Sequence, residues 1–460
     1  MKKRDLVGIE TRNPATEELL ERFEPMTDSA IDAALEKANQ TFEQFRRTDV
    51  ASRAQWLNAT ADILDAEVDH WAKLLTTEMG KTLSSAAAEV QKSAQGCRYY
   101  AAHAETLLAD EPLVGNDSQD FVRHLPLGPV LAVMPWNFPF WQVFRFAAPA
   151  LIAGNVALLK HASNVPRSAL AIQQILERAG FPSGAFQTLL IDSTQVQRVL
   201  DDARVRAATL TGTEAAGRAI ASRAGLALKP TVLELGGADP FIVMPSADLN
   251  QAVEGAVIGR TINNGQSCIA AKRFIVHADV YDEFTDRFVA KFEQLIVGDP
   301  TSHATDIGPL AMAQVRDEID DQVKHSTLKG AKRLTGAEPI TGQGYFYRPG
   351  ILAQVPESAP AYSEEVFGPV AMLFRVSDLS EAIRVGNATR FGLGSAIFTH
   401  DPKDIERAVN ELDAGATFVN QIVTSDPSRP FGGVKASGYG RELYRDGLMA
   451  FINRKTVSIR

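Results

Sequence analysis

The sequence is poor in cysteine, with only Cys97 and Cys268 among 460 residues. Two thiols cannot build a disulfide framework or a cysteine-based zinc site, so we expect a reducing compartment and no metal centre. Long apolar runs are also missing, because no stretch approaches the roughly 18 apolar residues that span a membrane. Polar and acidic residues follow the opening Met-Lys-Lys-Arg-Asp, where a signal peptide would be apolar. We therefore expect a cytoplasmic protein without a membrane role.

Positive charge is in deficit as well. The chain carries 47 lysine and arginine residues against 56 aspartate and glutamate residues, which gives a net charge of −9. This balance disfavours nucleic acid as a partner. The hydrophobic fraction of 45% and the charged fraction of 22% are typical of a folded globular protein. The length predicts two or three domains.

The pattern of apolar residues predicts an α/β fold. From Thr27, apolar residues recur every three or four positions, which indicates a helix within 27–45 with Thr27 or Asp28 as its N-cap. Further helices are predicted over 51–66 and 84–105. After residue 126, the apolar runs PVLAVM, NVALLK, RAATLTG and VLELGG alternate with helical patterns, which predicts a doubly wound parallel sheet. The alternation resumes near residue 238 and indicates a second α/β domain.

Cys268 is the first candidate for chemistry. The residues before it, NNGQS, are polar or glycine, whereas a cysteine that serves packing normally has apolar neighbours. This context favours a nucleophilic thiol, and a small core residue is the alternative. Cys97 lies in a predicted helix and is expected to serve packing only.

Glu234 and Asn137 are candidates to assist the thiol. Glu234 ends an apolar strand just before a Gly-Gly turn, at the sheet edge where ligands bind in α/β folds, so it is a candidate general base. Asn137, in MPWNFPF, lies in a loop stiffened by prolines and is a candidate oxyanion donor. A strand-edge salt bridge for Glu234 and a simple turn for Asn137 are the alternatives.

The segment TLTGTEAAGRAI suggests a dinucleotide site, although the chain has no G-x-G-x-x-G motif. Gly212 and Thr213 join a strand to a helix there, and exposed N–H groups at that junction would bind a pyrophosphate. Lys160 ends the run NVALLK and would place its ammonium near a ribose or phosphate. An ordinary strand-to-helix turn and a surface lysine are the alternatives.

Together these segments resemble the aldehyde dehydrogenases of the NAD(P)-dependent superfamily, from NPAT near residue 13 to the final strand. The motifs that carry the resemblance, in the order of that family, are PWNFP, LLKHAS, LTGTEAAG, LELGG, NNGQSCIAAKRF, EEVFGPV, FVN and PFGGVKASGYGRE. The resemblance implies a Rossmann-like cofactor domain (1–108 and 127–237), an α/β catalytic domain (238–447) and a small β oligomerisation arm (109–126 and 448–460). It also implies a homo-oligomer, dimer or tetramer, whose subunits exchange this arm.

By position, the resemblance implies that Cys268 is the nucleophile, Glu234 the general base and Asn137 the oxyanion donor, together with the N–H of Cys268. The implied cofactor contacts are Trp136, Lys160, Ser163, Gly212, Thr213, Glu365 and Phe367, and Glu442 lies where the family often has a proton-relay glutamate. The thiolate would attack an aldehyde, hydride would pass to a nicotinamide, and Glu234 would activate the water that hydrolyses the thioester.

A departure from the family pattern narrows the cofactor. Many NAD-preferring relatives have a glutamate three residues after Lys160 that binds the adenosine ribose, whereas this chain has Ser163. A serine donates to a 2′-phosphate that a carboxylate would repel. We therefore expect NADP+ as the preferred cofactor and NAD+ as a weaker one. The alternative is that Ser163 only caps the following segment.

Arg145 indicates the substrate class. It lies where succinate-semialdehyde dehydrogenases carry an arginine, and Ser425 matches a second carboxylate contact of those enzymes, while Ile262 replaces an arginine found in some of them. Phe138 and Phe431 would form apolar walls. We expect oxidation of succinate semialdehyde, with Arg145 gripping its distal carboxylate. A structural salt bridge is the alternative for Arg145.

Other functions stay open at this level. Glutarate semialdehyde or an uncharged aldehyde is an alternative substrate. A catalytically silent binding protein with this fold, or a cysteine hydrolase that uses Cys268 and Glu234 without a cofactor, is an alternative of a different class.

Overall fold

The computed structural model describes residues 9–113 and 119–459. Residues 1–8, 114–118 and 460 lie outside the described residues. They include the opening segment in which no signal peptide is expected, and parts of the predicted cofactor domain and arm.

Helices form much of the described chain. In chain order they span Asp28–Phe45 (α1), Val50–Ala66 (α2), Val68–Met79 (α3), Leu83–Leu108 (α4), Trp141–Ile152 (α5), Pro166–Arg178 (α6), Ser193–Asp201 (α7), Glu214–Leu226 (α8), Leu249–Thr261 (α9), Ala278–Glu293 (α10), Ala313–Leu328 (α11), Pro360–Ser363 (α12), Leu379–Asn387 (α13), Pro402–Glu411 (α14) and Tyr444–Met449 (α15).

The strands are short, and most lie between helices. In chain order they span Ile9–Arg12 (β1), Leu19–Phe23 (β2), Glu111–Pro112 (β3), Gln119–Pro126 (β4), Pro129–Met134 (β5), Val156–His161 (β6), Phe186–Thr188 (β7), Ala207–Thr211 (β8), Thr231–Glu234 (β9), Pro240–Val243 (β10), Arg273–His277 (β11), Lys332–Thr335 (β12), Glu338–Pro339 (β13), Tyr347–Arg348 (β14), Gly350–Ala353 (β15), Val370–Val376 (β16), Gly394–Phe398 (β17), Ala416–Val419 (β18), Gly438–Tyr439 (β19) and Ile452–Ile459 (β20).

The first large sheet has the strand order β19-β9-β8-β5-β6-β7. Strands β5 to β9 are parallel, and β19 pairs with β9 in the antiparallel direction. Strand β5 comes first in the chain and lies between β6 and β8, so the sheet winds outward from it in both directions. Ligands bind at such a switch point, beyond the carboxyl ends of the strands. The predicted doubly wound sheet is confirmed.

The second large sheet has the order β12-β15-β16-β11-β10-β17-β18 and is parallel except where β12 meets β15. Its strands come from the chain after residue 238. Strand β19 comes from the predicted catalytic domain and nevertheless completes the first sheet. The predicted domain boundaries stay a prediction.

A third sheet, β20-β4-β3, is antiparallel. It contains the described part of the predicted arm, and most side chains of β20 are exposed. Two hairpin-like pairs, β1 with β2 and β13 with β14, complete the strand pairing in the described chain.

Helix α1 forms as the spacing predicts. The hydroxyl of Thr27 accepts a hydrogen bond from the N–H of Ala30 at 3.2 Å, so Thr27 and not Asp28 is the N-cap. Its buried stripe includes all five predicted residues, which are Ile31, Leu35, Ala38, Phe42 and Phe45. These side chains pack into the hydrophobic core of the first sheet.

Helices α3 and α11 lie outside the sequence predictions. In α11, buried Val315, Ile319 and Val323 recur every four residues and give a helical signal, which polar neighbours such as Asp320 and Asp321 obscure. Along residues 9–113 and 119–459, no helix is long and apolar enough to cross a membrane.

Candidate active site

The loop that carries Cys268 has an unusual backbone. Helix α9 ends at Thr261, and the next turn places Asn263, Asn264 and Gly265 at φ of 55°, 57° and 76°. Asparagine and glycine are the residues that adopt left-handed backbone most readily. The NNG sequence therefore allows the chain to turn sharply just before the thiol.

Side-chain amides fix this turn to its surroundings. Asn263 Nδ2 donates to the backbone oxygens of Asn137 at 2.7 Å and Gln266 at 3.0 Å. Asn264 Nδ2 donates to the backbone oxygen of Gly80 at 3.1 Å. Two loops that are distant in sequence, those of Asn137 and Cys268, are thereby held together.

Lys272 is a site residue that the sequence motifs do not single out. Its buried ammonium donates to the backbone oxygens of Ser267 at 2.8 Å and Cys268 at 2.6 Å, and it lies 3.1 Å from a carboxylate oxygen of Glu365. A charged side chain buried among carbonyl groups fixes their positions. We conclude that Lys272 helps to set the orientation of the Cys268 backbone.

Cys268 itself is half-buried, whereas Cys97 is fully buried, as expected for a packing residue. Burial raises the pKa of the Cys268 thiol to about 12, and the positive charges of Arg145 and Lys272 act in the opposite direction. The thiolate is the nucleophilic form, so Cys268 needs a base or further positive charge to react at neutral pH.

A cavity of about 400 Å³ lies beyond the carboxyl ends of β5 and β8, at the switch point of the first sheet. Seven of the residues predicted for catalysis or cofactor binding line it, namely Trp136, Asn137, Gly212, Thr213, Cys268, Glu365 and Phe367. We call this the first cavity. Lys160 and Ser163 do not line it and lie at and just after the end of β6.

The first cavity combines an aromatic wall with buried, unpaired hydrogen-bond acceptors. The rings of Trp136 and Phe367 meet edge to face with centroids 5.7 Å apart and form one apolar wall. Asn137 Oδ1 and Gln142 Oε1 are buried in its lining, and neither accepts a hydrogen bond from the described residues. Buried polar atoms are normally paired, so these acceptors fit a ligand with N–H or O–H donors.

One detail of the predicted phosphate cradle is wrong. The N–H of Gly212 is not exposed, because it donates to the backbone oxygen of Glu234 at 2.9 Å. Thr213 is the N-cap of α8, and its hydroxyl accepts from Ala216 N at 3.3 Å. The N-terminus of α8 at the cavity remains available to an anion, whereas the N–H of Gly212 is used in a backbone hydrogen bond.

The alternative proposed for Ser163, that it only caps the following segment, is not seen in the structure. Helix α6 begins at Pro166 with Val165 as its N-cap, so Ser163 does not cap that helix. Lys160 is half-buried, and burial lowers the pKa of its ammonium, while Asp192 acts to raise it.

Asn137 lies next to the thiol loop. Its Nδ2 donates to the backbone oxygen of Gln266 at 3.2 Å, a long hydrogen bond. The amide is therefore within the loop environment of Cys268 and is held by only one weak partner. A stronger acceptor at that position, such as an oxyanion, would compete for the same N–H groups.

Glu234, Arg145 and Glu442 form a buried charged cluster. They are 2%, 2% and 4% exposed, and the Arg145 guanidinium forms an ion pair with the Glu442 carboxylate. Burial raises the pKa of Glu234 well above its usual value, the Glu442 charge raises it further, and Arg145 opposes both effects. Burial also raises the pKa of Glu442, against the effect of Arg145. The structural salt bridge considered for Arg145 is therefore present.

A second cavity of about 300 Å³ lies on the other side of the thiol loop. Ile269, Phe431 and Ser425 are among its lining residues. Cys268 and Phe138 pack against the hydrophobic cluster that contains Phe431. The thiol loop thus contributes to both cavities, with Cys268 in the lining of the first and Ile269 in that of the second, which also has aromatic walls and a serine.

The helix that carries Arg145 is anchored by a buried ion pair. Glu89 on α4 accepts hydrogen bonds from the N–H groups of Phe140 at 2.8 Å and Trp141 at 3.1 Å, and its other oxygen pairs with Lys81. The Lys81 ammonium also lies 4.3 Å from the centre of the Phe138 ring. Sequence reasoning missed this anchor. It could have been found from Glu89, which is the one charged residue in the buried stripe of α4.

Comparison with known proteins identifies the family. The sequence matches the model of the Aldehyde dehydrogenase family over residues 2–457, and the chain belongs to this family. It is 55% identical over 455 residues to the succinate-semialdehyde dehydrogenase (NADP(+)) of Mycobacterium avium strain 104, covering 98% of this chain and 96% of that protein. It is 54% identical over 453 residues to succinate-semialdehyde dehydrogenase (NADP(+)) 1 of Mycobacterium ulcerans strain Agy99, covering 98% and 99%.

A solved structure shows the same fold. The succinic semialdehyde dehydrogenase of Streptococcus pyogenes, in complex with NADP+, is 38% identical and superposes with a TM-score of 0.95. The match covers 97% of this chain and 99% of that one. The predicted aldehyde dehydrogenase fold is confirmed. Among the residues the structure describes, no group of acidic, histidine and cysteine side chains could hold a metal ion.

Proposed function

We propose that this protein oxidises succinate semialdehyde to succinate, with NADP+ as the preferred cofactor and NAD+ as a weaker one. The observation that carries the proposal is that Cys268 lines the first cavity and packs against the cluster of Phe431, which lines the second cavity. The names of the mycobacterial and streptococcal relatives support this substrate and cofactor.

The first cavity is the proposed cofactor site. Trp136, Phe367 and Glu365 would contact the dinucleotide there, and the N-terminus of α8 at Thr213 would favour its phosphates. When bound, NADP+ accepts the hydride that leaves the substrate carbon. We propose that Lys160, near the end of β6, and Ser163, just after it, favour the 2′-phosphate, because neither repels it.

The residues of this chain carry out the remaining steps. Cys268 loses its proton to solvent water, and the thiolate attacks the aldehyde carbon to form the oxyanion of a thiohemiacetal. The side chain of Asn137 and the N–H of Cys268 donate to the oxyanion, and one such donor contributes roughly 3–4 kcal/mol in comparable sites. Hydride loss leaves a thioester on Cys268. Glu234 then takes a proton from the water that attacks the thioester, which releases the acid and the thiol.

The charged cluster has a supporting role in this proposal. Arg145 opposes the rise in the pKa of Glu234 and of Cys268, so it favours the ionised forms of both. Glu442 holds Arg145 in place, and a proton-relay role for Glu442 stays a prediction. The role of Arg145 as the substrate anchor also stays a prediction.

The proposal is tested by replacing the two cysteines separately. The Cys268→Ala variant should lose reduction of NADP+ with succinate semialdehyde, whereas the Cys97→Ala variant should keep it, as measured by absorbance of the reduced nicotinamide. Mass spectrometry after rapid quenching should detect a succinyl adduct on Cys268. Undiminished activity of the Cys268→Ala variant would refute the mechanism.

The same assay separates the alternatives. Turnover without a nicotinamide cofactor would indicate a cysteine hydrolase, and no turnover of any aldehyde would indicate a silent binding protein. A higher kcat/KM for glutarate semialdehyde or an uncharged aldehyde would change the proposed substrate.

We also propose a cytoplasmic homo-oligomer, dimer or tetramer. Support comes from the third sheet, in which β20 is an exposed edge strand of eight residues. Long exposed edges are templates for pairing with another chain. Sedimentation equilibrium of the intact protein measures the assembly, and a monomer at micromolar concentration would contradict this proposal.

A further inference from the structure

Ser425 occupies a hydrogen-bonding position that is only partly satisfied. Its Oγ lies 2.9 Å from Lys92 Nζ and 3.0 Å from Trp141 Nε1, and both of those atoms are donors. A hydroxyl oxygen has two lone pairs and one proton. Because both lone pairs are engaged, the Ser425 proton is free to be donated to a further acceptor.

Lys92 supplies a positive charge at the same point. It is half-buried on α4, and its ammonium lies 4.8 Å from the centre of the Trp141 ring. Within residues 9–113 and 119–459, no carboxylate oxygen lies within 4.0 Å of Lys92 Nζ. Its ammonium has three N–H donors, of which Ser425 receives one. A partly buried cation without a close counter-ion favours an anionic ligand.

Arg145, unlike Lys92, already has a close counter-ion. Its guanidinium already forms the buried ion pair with Glu442, donates to Thr211 Oγ1 at 3.2 Å, and lies 4.6 Å from the centre of the Phe431 ring. Its charge is therefore partly neutralised by the protein. Ser425, by contrast, lines the second cavity, and the Lys92 ammonium lies within hydrogen-bonding distance of its hydroxyl.

We propose that Lys92, together with Ser425, binds the distal carboxylate of the substrate and thereby determines the preference for a semialdehyde over an uncharged aldehyde. This inference rests on the proposed function and names its specificity residue. Trp141 orients both groups, since it donates to Ser425 and its ring lies beside Lys92. Lys92 thereby supplies a cationic contact that Ile262 cannot provide.

The test compares two substrates of equal chain length, succinate semialdehyde and butanal. We expect the Lys92→Met variant to lower the ratio of kcat/KM for succinate semialdehyde to that for butanal by roughly tenfold to a hundredfold, the range for hydrogen bonds to charged groups. Most of the change should appear in KM for the charged substrate. The Ser425→Ala variant should lower the same ratio less, and Lys92→Arg should restore part of it.

Lys37 provides a matched control. Its Nζ donates to Ser183 Oγ at 2.6 Å, which is the same pairing on the surface. The Lys37→Met variant should leave the ratio unchanged. Retained activity of the Lys92→Met variant on butanal shows that it is folded.

The pH dependence gives a second measurement. Burial lowers the pKa of Lys92 to about 8, Arg145 lowers it further, and Asp426 and Glu89 act to raise it. Lys92 is charged below this pKa, so the substrate ratio of the unmodified protein should fall as the pH rises through about 8. The ratio for the Lys92→Met variant should stay flat. The titration of Cys268 and Glu234 changes the reaction with both substrates equally, so it cancels in the ratio of their kcat/KM values.

The outcomes separate this inference from the proposed function. If the unmodified protein prefers succinate semialdehyde but Lys92→Met lowers activity equally on both substrates, or leaves the ratio unchanged, Lys92 is not the anchor and the proposed function stands. If the unmodified protein does not oxidise succinate semialdehyde, the proposed function itself fails.

Discussion

The Gly265→Ala substitution tests the geometry of the thiol loop directly. Gly265 has φ of 76°, and a Cβ atom there would lie 2.4 Å from Gly368 C and 2.5 Å from Pro369 N. Alanine in left-handed backbone costs roughly 1–2 kcal/mol. Relief of the contact with backbone atoms adds roughly 1–3 kcal/mol. We therefore expect the free energy of unfolding to fall by about 2–5 kcal/mol.

The same change should reduce activity. The backbone oxygen of Gly265 accepts a hydrogen bond from Arg260 Nη2 at 2.6 Å, and Cys268 follows three residues later. Any movement that accommodates the new methyl group is transmitted to the thiol. A displacement of about 1 Å costs roughly a hundredfold in comparable sites, so we expect kcat/KM to fall by about that factor.

Gly225 is the control for this substitution. It lies in α8, and a Cβ atom there would meet no atom within 4 Å apart from its chain neighbours and the nearby backbone of its own helix. The Gly225→Ala variant should keep full activity and gain up to about 1 kcal/mol from helix propensity. Thermal unfolding by circular dichroism and steady-state kinetics at equal protein concentration measure both variants. A Gly265→Ala variant with unchanged thermal midpoint and unchanged kcat/KM would refute the reasoning.

Two further predictions concern charge. In the Glu442→Gln variant, the negative charge that raises the pKa of Glu234 is removed, so the acid limb of the pH profile of kcat should move to lower pH. An unmoved limb would show that Glu442 does not act on Glu234. The Ser163→Glu variant should lower kcat/KM for NADP+ by roughly tenfold or more, through repulsion of the 2′-phosphate, and should leave kcat/KM for NAD+ unchanged or higher. An equal loss with both cofactors would place Ser163 outside the phosphate site.

Much of the fold follows from local sequence. Helix α1 has one apolar stripe and one N-cap, and the strands after residue 126 are short apolar runs between helical patterns. These signals depend on neighbouring residues only, so the fold class was predictable and is confirmed. The pairing of β19 with β9 was not predictable, because β19 has only two residues, Gly438 and Tyr439, and these carry no strand signal.

The candidate site was predictable in its residue types but less so in its contacts. The order of the motifs indicated Cys268 and Asn137, which the structure places at one cavity. The bond between Gly212 and the backbone of Glu234, and the ion pair of Arg145 with Glu442, join segments that are far apart in sequence. Such contacts depend on how the strands and helices pack in three dimensions, and no local pattern reports them.

The antiparallel pairing of β19 with β9 places Gly438 opposite Glu234. The wall beside Glu234, the proposed general base, is therefore supplied by residues that are translated long after Cys268. A nascent or truncated polypeptide that lacks them would contain the cysteine but not the completed chemistry around it. Competence to react with aldehydes should thus arise only after residues 438 and 439 have been synthesised.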